Sequence, residues 1–240
     1  FDFIISEDKE NYDLSTEFAP TEAGEYTVFI SSGVTIGATS TALKAFTTGA
    51  QAAGVSLILI VRGAILGAGG AGADGPVVIV PSPQDSPTSS YKQGTSGFRG
   101  GDALEITCSV TINASQGVVY SGGGGAPSVF SSADSTSTPV FTFAGNGGSG
   151  GQGYVGGKGG TAGKAIVSET KTDIASAGVD GSRSSAGSVG GISGGSWGSE
   201  SGFNADSGPA SQAGYAILSN GNSVTVIGDN DLTIKGRRDF

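Results

Sequence analysis

Short apolar segments alternate with glycine-rich segments along this chain. The most apolar stretch, residues 55–66, is continuous rather than alternating, which predicts a buried strand. Residues 25–36 are rich in β-branched and aromatic side chains around Gly33, which predicts a pair of strands joined by a turn. Residues 103–120 and 215–234 have the same β-type composition, so we expect strands there as well.

Apolar segments lead into runs of glycine. The central run, residues 145–163, has glycine at 11 of 19 positions, too many for a stable helix or an ordinary strand, because glycine loses more backbone freedom on folding than any other residue. A flexible linker is one interpretation, but the recurrence of such runs argues for architecture instead. Related runs occupy residues 67–75, 97–101, 122–125 and 187–198.

A backbone conformation suited to these runs is polyproline II, which has about three residues per turn, a rise of about 3.1 Å and no internal hydrogen bonds. Its amides and carbonyls point outward, so segments lying side by side can bond to one another, and only glycine lets the backbones come so close. We therefore predict a bundle of glycine-rich segments whose interior is mostly backbone. The lateral bonds must offset an ordering cost of about 1–2 kcal/mol per residue.

The order of segments is strand, glycine run, polar loop, glycine run and strand. Residues 76–96 and 128–139 are rich in serine and proline, which predicts loops. This order would place the strands at one end of the molecule and the loops at the other. Loops presented by a rigid scaffold are a common recognition surface.

Composition excludes several classes of function. A net charge of −9 argues against binding to nucleic acid, whose phosphates require clustered Lys and Arg. The chain has no histidine, so a Ser-His-Asp or Cys-His catalytic arrangement is impossible, and we expect a protein that is not an enzyme. Neither a membrane span nor a signal peptide is evident. The chain begins at Phe1 instead of methionine, so we expect it to be part of something longer.

Isolated motifs do not support a cofactor or a metal site. Gly67, Gly69 and Gly72 fit the dinucleotide fingerprint G-x-G-x-x-G, but the sequence that follows, A-D-G-P-V-V-I-V-P, is not that of a helix. Residues 69–74 match part of a calcium-binding nonapeptide repeat that does not recur. The single cysteine, Cys108, lies in an apolar stretch and is expected to be a buried, inert thiol.

Aromatic residues divide into two groups. Tyr26, Phe29 and Tyr215 fall in predicted strands, which favours the core. Six others lie in or beside the glycine-flanked loops, where they could either cover exposed glycine backbone or contact a partner, since Trp and Tyr are favoured anchors at interfaces. These candidate binding residues are Tyr91, Phe98, Phe130, Phe141, Trp197 and Phe203.

Four stretches of sequence carry a family resemblance. They are L-I-L-I-V-R-G-A-I-L-G-A-G-G-A-G from Leu57, G-G-D-A-L-E-I from Gly100, G-V-V-Y-S-G-G-G-G from Gly117, and the ending from Gly214. Their order resembles the glycine-rich receptor-recognising domains at the tips of bacteriophage tail fibres. Two branches are similar: separate adhesins that cap the long tail fibres of T-even-type phages, and C-terminal domains of central tail-fibre (host-specificity) proteins. The opening, I-S-E-D-K-E-N-Y-D-L, looks more like the second branch.

The resemblance implies an all-β base that carries a sandwich of polyglycine-II helices, with essentially no α-helix. On this chain it implies a β-structured base and attachment region at 1–66, a sandwich with receptor-binding loops at 67–214, and C-terminal strands returning to the base at 215–240. The glycine runs are shorter and more interrupted than in some relatives. The candidate loops are residues 74–96, 126–142, 164–185 and 196–209.

We therefore expect a tail-fibre adhesin at the distal tip of the fibre of a virion. Its expected partners are an outer-membrane protein or surface glycan of the host and the rest of the tail fibre, with the adhesin itself a monomer or a homotrimer. No cofactor, nucleic acid or membrane insertion is expected. An ice-binding protein would need a flat face of regularly spaced small residues, and a calcium-binding repeat protein would need Asp at a fixed period. The sequence has neither pattern. The alternative is a glycine-rich structural module, or an ice-binding or calcium-binding repeat module, without receptor specificity.

Overall fold

The computed structural model of the chain describes residues 1–75, 77–79, 95–128, 132–133, 142–143, 146–162, 164–168, 171–174, 176–189, 192–203 and 207–240. Within these ranges the chain forms strands and extended segments, with one 3-10 turn at Leu14–Thr16 and no α-helix. The predicted all-β class is therefore confirmed. In the same ranges, no helix has the length and apolar character needed to cross a membrane.

Three sheets, each of five parallel strands, form the base of the molecule. The chain enters them in a fixed order, here called face A, face B and face C, and repeats that order through five turns. The base is therefore a three-faced parallel solenoid. In chain order, the strands of successive turns are Phe3–Ile5, Lys9–Glu10 and Tyr12–Asp13; Gly24–Ile30, Thr35–Gly37 and Phe46–Thr47; Val55–Val61, Ala64–Leu66 and Leu104–Glu105; Ser109–Asn113, Val118–Tyr120 and Tyr215–Leu218; and Val224–Ile227, Ile234–Lys235 and Arg237–Arg238.

The core lies inside the solenoid, where apolar side chains of successive turns stack in register. Val28, Leu59 and Ile112 on face A are aligned with one another, and each is at most 1% exposed. Full burial of an aliphatic side chain of this size stabilises the fold by about 1.5–3 kcal/mol. Burial alternates along Val55–Val61, so the apolar residues at even positions, Ile58 and Ile60, face outward and are only half-buried.

Glycines at the corners divide two apolar stretches differently from the prediction. Residues 25–36 form two strands, but these belong to faces A and B and do not pair with each other. Gly33, with φ of +83°, makes the corner between them. The stretch 55–66 likewise breaks at Gly63, where a Cβ atom would come within 2.2 Å of the Val34 carbonyl oxygen. A continuous apolar sequence therefore supplies two faces instead of one strand.

Two glycine-rich insertions leave the base at the same corner. In the third turn the chain leaves face B after Leu66 and returns to face C at Leu104, and in the fourth turn it leaves after Tyr120 and returns at Tyr215. Residues 104–120, between the insertions, pair with strands of the base. Strands of face B therefore run toward the insertions, and strands of face C run back from them.

The inserted segments are joined by backbone hydrogen bonds with a period of three residues. One set of bonds joins the first insertion to the start of the second: the amides of Gly67, Gly70 and Ala73 donate to the carbonyls of Tyr120, Gly123 and Ala126. A second set uses the alternate residues: the amides of Gly69, Gly72 and Gly75 donate to the carbonyls of Val155, Lys158 and Thr161. All six distances are 2.8–3.0 Å. An antiparallel segment donates from Gly148, Gly151 and Tyr154 to Ala73, Gly70 and Gly67. Because three residues per turn is the period of the polyproline II and polyglycine II backbones, the segments form the predicted polyglycine-II bundle.

Glycine is required in the bundle because the backbones touch. A Cβ atom at Gly122 would lie 1.7 Å from the carbonyl oxygen of Ala68, and one at Gly150 would lie 1.7 Å from that of Gly157. Side chains cannot occupy such positions, so the interior consists of peptide groups bonded to one another. The bundle is therefore held by backbone hydrogen bonds, whereas the base is held by an apolar core.

Candidate functional site

At its end away from the base, the bundle holds the residues that flank four segments, 76–94, 129–145, 163–175 and 204–206, which we call the excursions in chain order. Gly75 donates to the Thr161 carbonyl at 2.8 Å, which brings the first and third excursions together. Thr95 and Ser128 bond to each other, the Thr95 amide donating to the Ser128 Oγ at 2.9 Å and the Ser128 amide donating to the Thr95 carbonyl at 3.0 Å. The Gly208 amide donates to the Ser128 carbonyl at 3.3 Å.

We call this end the distal platform and define it by the residues that anchor the excursions. The Ser176 amide donates to Asn146 Oδ1 at 3.0 Å, and the Gly147 amide returns a bond to the Ser176 carbonyl at 3.0 Å. The platform thus holds chain ends from both insertions through three sets of hydrogen bonds. Its members are Gly75, Thr95, Ser128, Asn146, Thr161, Ser176 and Gly208.

Two carboxylates brace segments of the bundle near this end. Asp74 Oδ1 accepts from the amide and the hydroxyl of Thr161, both at 2.8 Å, and these bonds lower the pKa of Asp74. Asp180 accepts from the Gly159 amide at 2.7 Å and from Lys158 Nζ at 2.9 Å, which lowers its pKa as well. Hydrogen bonds to the charged form favour ionisation, so both groups are anions at neutral pH.

Short strands order parts of the segments that the sequence predicted as loops. Val77–Ile79 pairs in parallel with Lys164–Ser168, which pairs antiparallel with Lys171–Ile174. Ser132–Ala133 pairs with Thr142–Phe143, and Ser188–Val189 with Ile192–Ser193. The prediction of a loop at residues 164–185 missed the hairpin of Lys164–Ser168 and Lys171–Ile174, because its strands are short and rich in serine and threonine.

The six candidate aromatic residues do not form one cluster. Tyr91, Phe130 and Phe141 lie outside the described residues. Phe98 is 64% exposed on the side of the bundle, where its amide donates to Ala71. Phe203 is 69% exposed and follows Gly202, which donates to Ser193.

Trp197 is half-buried at the end of the bundle nearest the base. Its ring lies 5.9 Å from that of Tyr120, and Lys235 Nζ lies 4.9 Å from the Tyr120 ring centre. The Trp197 amide donates to Gln152 Oε1 at 3.1 Å. Trp197 therefore joins the bundle to faces of the base.

A shallow cavity of about 320 Å³ lies beside Phe98, between the bundle and the base. Three hydroxyl-bearing residues of the second turn form one wall, and Phe98 and an extended segment of the bundle form the other. Residues that line it include Thr39, Ser40, Thr41, Phe98, Val155 and Lys158. The sequence did not predict this cavity, because its walls come from four segments that are separated along the chain.

A buried carboxylate that was not predicted from the sequence, Asp102, joins the bundle to the base. Asp102 is 3% exposed, forms ion pairs with Lys44 and Arg99, and accepts from the Tyr215 amide at 2.7 Å. Its three partners come from the second turn, the first insertion and the fourth turn. The sequence feature that could have identified Asp102 is its position, as a charged residue between a glycine run and an apolar strand.

Neither a cluster of metal ligands nor a reactive thiol is found among the described residues. Among them, no group of three or more His, Cys, Asp or Glu side chains is placed to hold a metal ion. Cys108 is half-buried, and desolvation raises the pKa of its thiol, which keeps it protonated.

Comparison with known proteins shows a family match and a similar fold. The family described as phage tail fibre adhesin Gp38 matches residues 1–238. The fold is similar to a chain in the crystal structure of the gp37-gp38 adhesin tip complex of the bacteriophage S16 long tail fiber, with a TM-score of 0.56 and 18% identity, covering 99% of this chain and 81% of that one. No curated protein sequence gave a match. The predicted resemblance to tail-fibre tip domains is confirmed, and the chain belongs to the phage tail fibre adhesin Gp38 family.

Proposed function

We propose that this tail-fibre adhesin sits at the distal tip of the fibre and recognises a host surface receptor through the excursions anchored on the distal platform. The observation that carries the proposal is the convergence of four excursions at one end of a bundle whose other end is fixed to the base. The receptor is an outer-membrane protein or a surface glycan, because both project from the cell toward an approaching tip.

Rigid anchoring favours recognition for a thermodynamic reason. Binding by a mobile segment must offset the loss of conformational freedom of that segment, about 0.5–1.5 kcal/mol for each immobilised side chain. Here the ends of each excursion are already held by hydrogen bonds such as those between Thr95 and Ser128. Differences in the excursions can then change the receptor without changing the scaffold.

Attachment through several fibres strengthens weak contacts. Linked binding modules raise overall avidity by effective concentration, without any new contact. The proposed mechanism therefore needs only modest affinity from one tip, whether the adhesin acts as a monomer or as a homotrimer. The mass of the purified chain by light scattering distinguishes these two states.

Adsorption of the fluorescently labelled chain to a panel of host strains tests the proposal. In one variant, a short glycine-serine link replaces residues 163–175 and joins Ala162 to Ser176; the Gly178 amide donates to the neighbouring Gly160 carbonyl, so the ends already lie close. We expect strain-selective adsorption by the intact chain and its loss or altered selectivity in this variant.

A matched control keeps the platform and changes an exposed residue of the base, Leu232→Ser, which is 76% exposed. This control should adsorb as the intact chain does, and all three proteins should share the same circular dichroism spectrum. Equal adsorption by the intact chain to every strain, or by the link variant to the same strains, would contradict recognition through this excursion.

A further inference from the structure

The cavity beside Phe98 has two chemically different walls. On one wall, Thr39, Ser40 and Thr41 carry hydroxyl groups, which can both donate and accept hydrogen bonds. On the other, Phe98 and Val155 offer carbon surface, and they are 64% and 45% exposed. The cavity therefore suits a ligand that has hydroxyl groups on one side and C–H groups on the other.

The hydroxyl wall is held in place by bonds that leave hydroxyl groups available. The Thr39 amide donates to Asn11 Oδ1 at 2.9 Å, and Asn11 Nδ2 donates to Thr39 Oγ1 at 2.7 Å. The Leu43 amide donates to the Ser40 carbonyl at 3.2 Å, which closes a turn that contains Thr41. Ser40 and Thr41 are exposed, and neither hydroxyl bonds to another residue that the structure describes. Both hydroxyl groups can therefore bond to a ligand.

The opposite wall is fixed by the backbone bonds of the bundle. The Phe98 amide donates to the Ala71 carbonyl at 2.7 Å, and the Phe98 carbonyl accepts from the Gly125 amide at 2.8 Å. The two walls meet near Gly101, where a Cβ atom would lie 3.0 Å from Thr41 Cα. Sites for small ligands are usually preformed, and a preformed site loses little conformational freedom on binding. This cavity meets that condition.

Charge and size narrow the class of ligand. Lys158 is the one charged residue among the described residues that line the cavity, and its Nζ pairs with Asp180 Oδ2 at 2.9 Å. The pair has no net charge, which favours an uncharged ligand over an anion. The volume of about 320 Å³ is near the lower end of the usual range for ligand sites, about 300–1,000 Å³. The site therefore accommodates one small ring, and because it is shallow, a longer chain can continue into solvent.

A six-membered sugar ring has this combination of groups. Its hydroxyl groups donate and accept hydrogen bonds as those of Ser and Thr do. Its C–H bonds carry a small positive charge and pack on the face of an aromatic ring, which is negative. A linear polyol has the hydroxyl groups without a C–H face, and an apolar ring would leave the hydroxyl wall without partners.

We propose that this cavity is a saccharide-binding site that takes one uncharged six-membered sugar ring of a glycan. Phe98 stacks on the C–H face of the ring, and the hydroxyl groups of Ser40 and Thr41 bond to the hydroxyl groups of the sugar. Lys158, which lines the cavity, is three residues from Thr161 of the distal platform, one turn of about 9 Å. A glycan beside the receptor can therefore enter the cavity while the excursions hold the receptor. The host origin of the glycan rests on the proposed function, whereas sugar binding by the cavity does not.

Titration of the isotope-labelled chain with free sugars, followed by NMR of its backbone amides, tests this assignment. The probes are glucose, galactose, N-acetylglucosamine and rhamnose, each added at millimolar concentrations. We expect at least one of them to shift the amide signals of Thr41, Ala71 and Phe98 until they saturate, while the signals of the distal platform stay in place. Sorbitol, a linear polyol, and inorganic phosphate, an anion, should leave the signals of the cavity unchanged.

Two variants remove proposed contacts at exposed positions. Phe98→Ala removes the stacking surface, and Thr41→Val removes a hydroxyl group while it keeps the shape of the side chain. We expect each variant to bind the sugar at least fivefold more weakly, with the same thermal midpoint as the intact chain. The matched controls Phe240→Ala and Thr21→Val change exposed residues outside the cavity and should bind within twofold of the intact chain.

The saccharide site and the proposed function fail in different ways. Absence of shifts at the cavity with all four sugars, equal shifts with sorbitol or phosphate, or sugar binding by Phe98→Ala within twofold of the intact chain would overturn the saccharide site. A chain that binds sugar in the cavity but adsorbs equally to all strains keeps this site and loses receptor recognition by the excursions. A chain that adsorbs selectively but binds none of the sugars has the opposite outcome.

Discussion

The ring of Tyr154 lies over the backbone of Gly37, so close that a Cβ atom at position 37 would come within 2.3 Å of the ring carbons. Tyr154 belongs to a turn of the bundle, and Gly37 ends a strand of face B in the second turn of the base. The Tyr154 hydroxyl donates to Glu10 Oε1 at 3.1 Å, and Arg183 beside the ring donates to Thr35 Oγ1 at 3.1 Å. The bundle and the base therefore pack closely against each other at this point.

Gly37→Ala should displace the Tyr154 ring and lower the free energy of unfolding by about 1–3 kcal/mol, the usual cost of overpacking. Urea unfolding followed by tryptophan fluorescence measures the change. Gly202→Ala is the matched control, because its Cβ atom would meet its nearest neighbours at 3.5 Å. Equal stabilities of the two variants would contradict close packing of the Tyr154 ring on Gly37.

Gly150→Ala should disrupt the bundle and spare the base. Its Cβ atom would lie 1.7 Å from the Gly157 carbonyl oxygen, which is backbone and cannot rotate away. We expect protection of the Gly150 and Gly157 amides against hydrogen exchange to fall at least tenfold, while amides of Val55–Val61 keep theirs. Uniform loss of protection in both parts would show instead that bundle and base unfold as one unit.

Asp102→Asn should destabilise the protein through the two cations that it leaves unpaired. Removal of one partner from a fully buried ion pair costs about 3–5 kcal/mol, but Lys44 and Arg99 are 27% and 43% exposed, so solvent screening reduces this to about 1–3 kcal/mol. Asp180→Asn, which breaks an exposed pair with Lys158, should cost less than about 1 kcal/mol. Thermal unfolding of both variants gives the comparison, and equal losses would contradict it.

Acid should weaken the contacts that Asp74 and Asp180 make in the bundle. Asp74 and Asp180 have folded-state pKa values below the reference value of 3.8, so the unfolded chain binds protons first as the pH falls. Their stabilising contribution is present above the unfolded pKa and is lost as the pH falls from about 4 through the lower folded values. Hydrogen exchange between pH 5 and pH 3, corrected for the intrinsic rate, should show loss of protection at Gly159 and Thr161, and Asp180→Asn should reduce that loss at Gly159.

The elements of this fold were easier to predict than their arrangement. A continuous apolar run identified the strands within 55–66, β-type composition identified those within 103–120, and glycine content identified the bundle. The pairing of glycine segments could not be predicted, because peptide groups are the same at every position and their bonds carry no residue identity. The solenoid could not be predicted either, because strands of two to seven residues are too short for a repeating pattern of apolar residues to mark each face.

The side chains that connect the bundle to the base could not be predicted from the sequence either. Trp197 was predicted as a candidate binding residue because its neighbours are glycine and serine, yet its ring packs on Tyr120. That contact joins residues 77 positions apart, and no local pattern marks it. The exposure of Phe98 and Phe203 agrees with a role in contacting a partner, which stays a prediction.

The three-residue hydrogen-bond period has a mechanical consequence. Under the function proposed above, flow that pulls on an attached virion stretches the adhesin between its platform and its base, along the axes of the segments. Bonds such as Gly70 to Gly123 and Gly72 to Lys158 lie across those axes and therefore carry the force in shear. Shear loads many bonds together, whereas peeling breaks them one at a time, so the bundle resists being pulled apart in the direction in which an anchored particle is dragged.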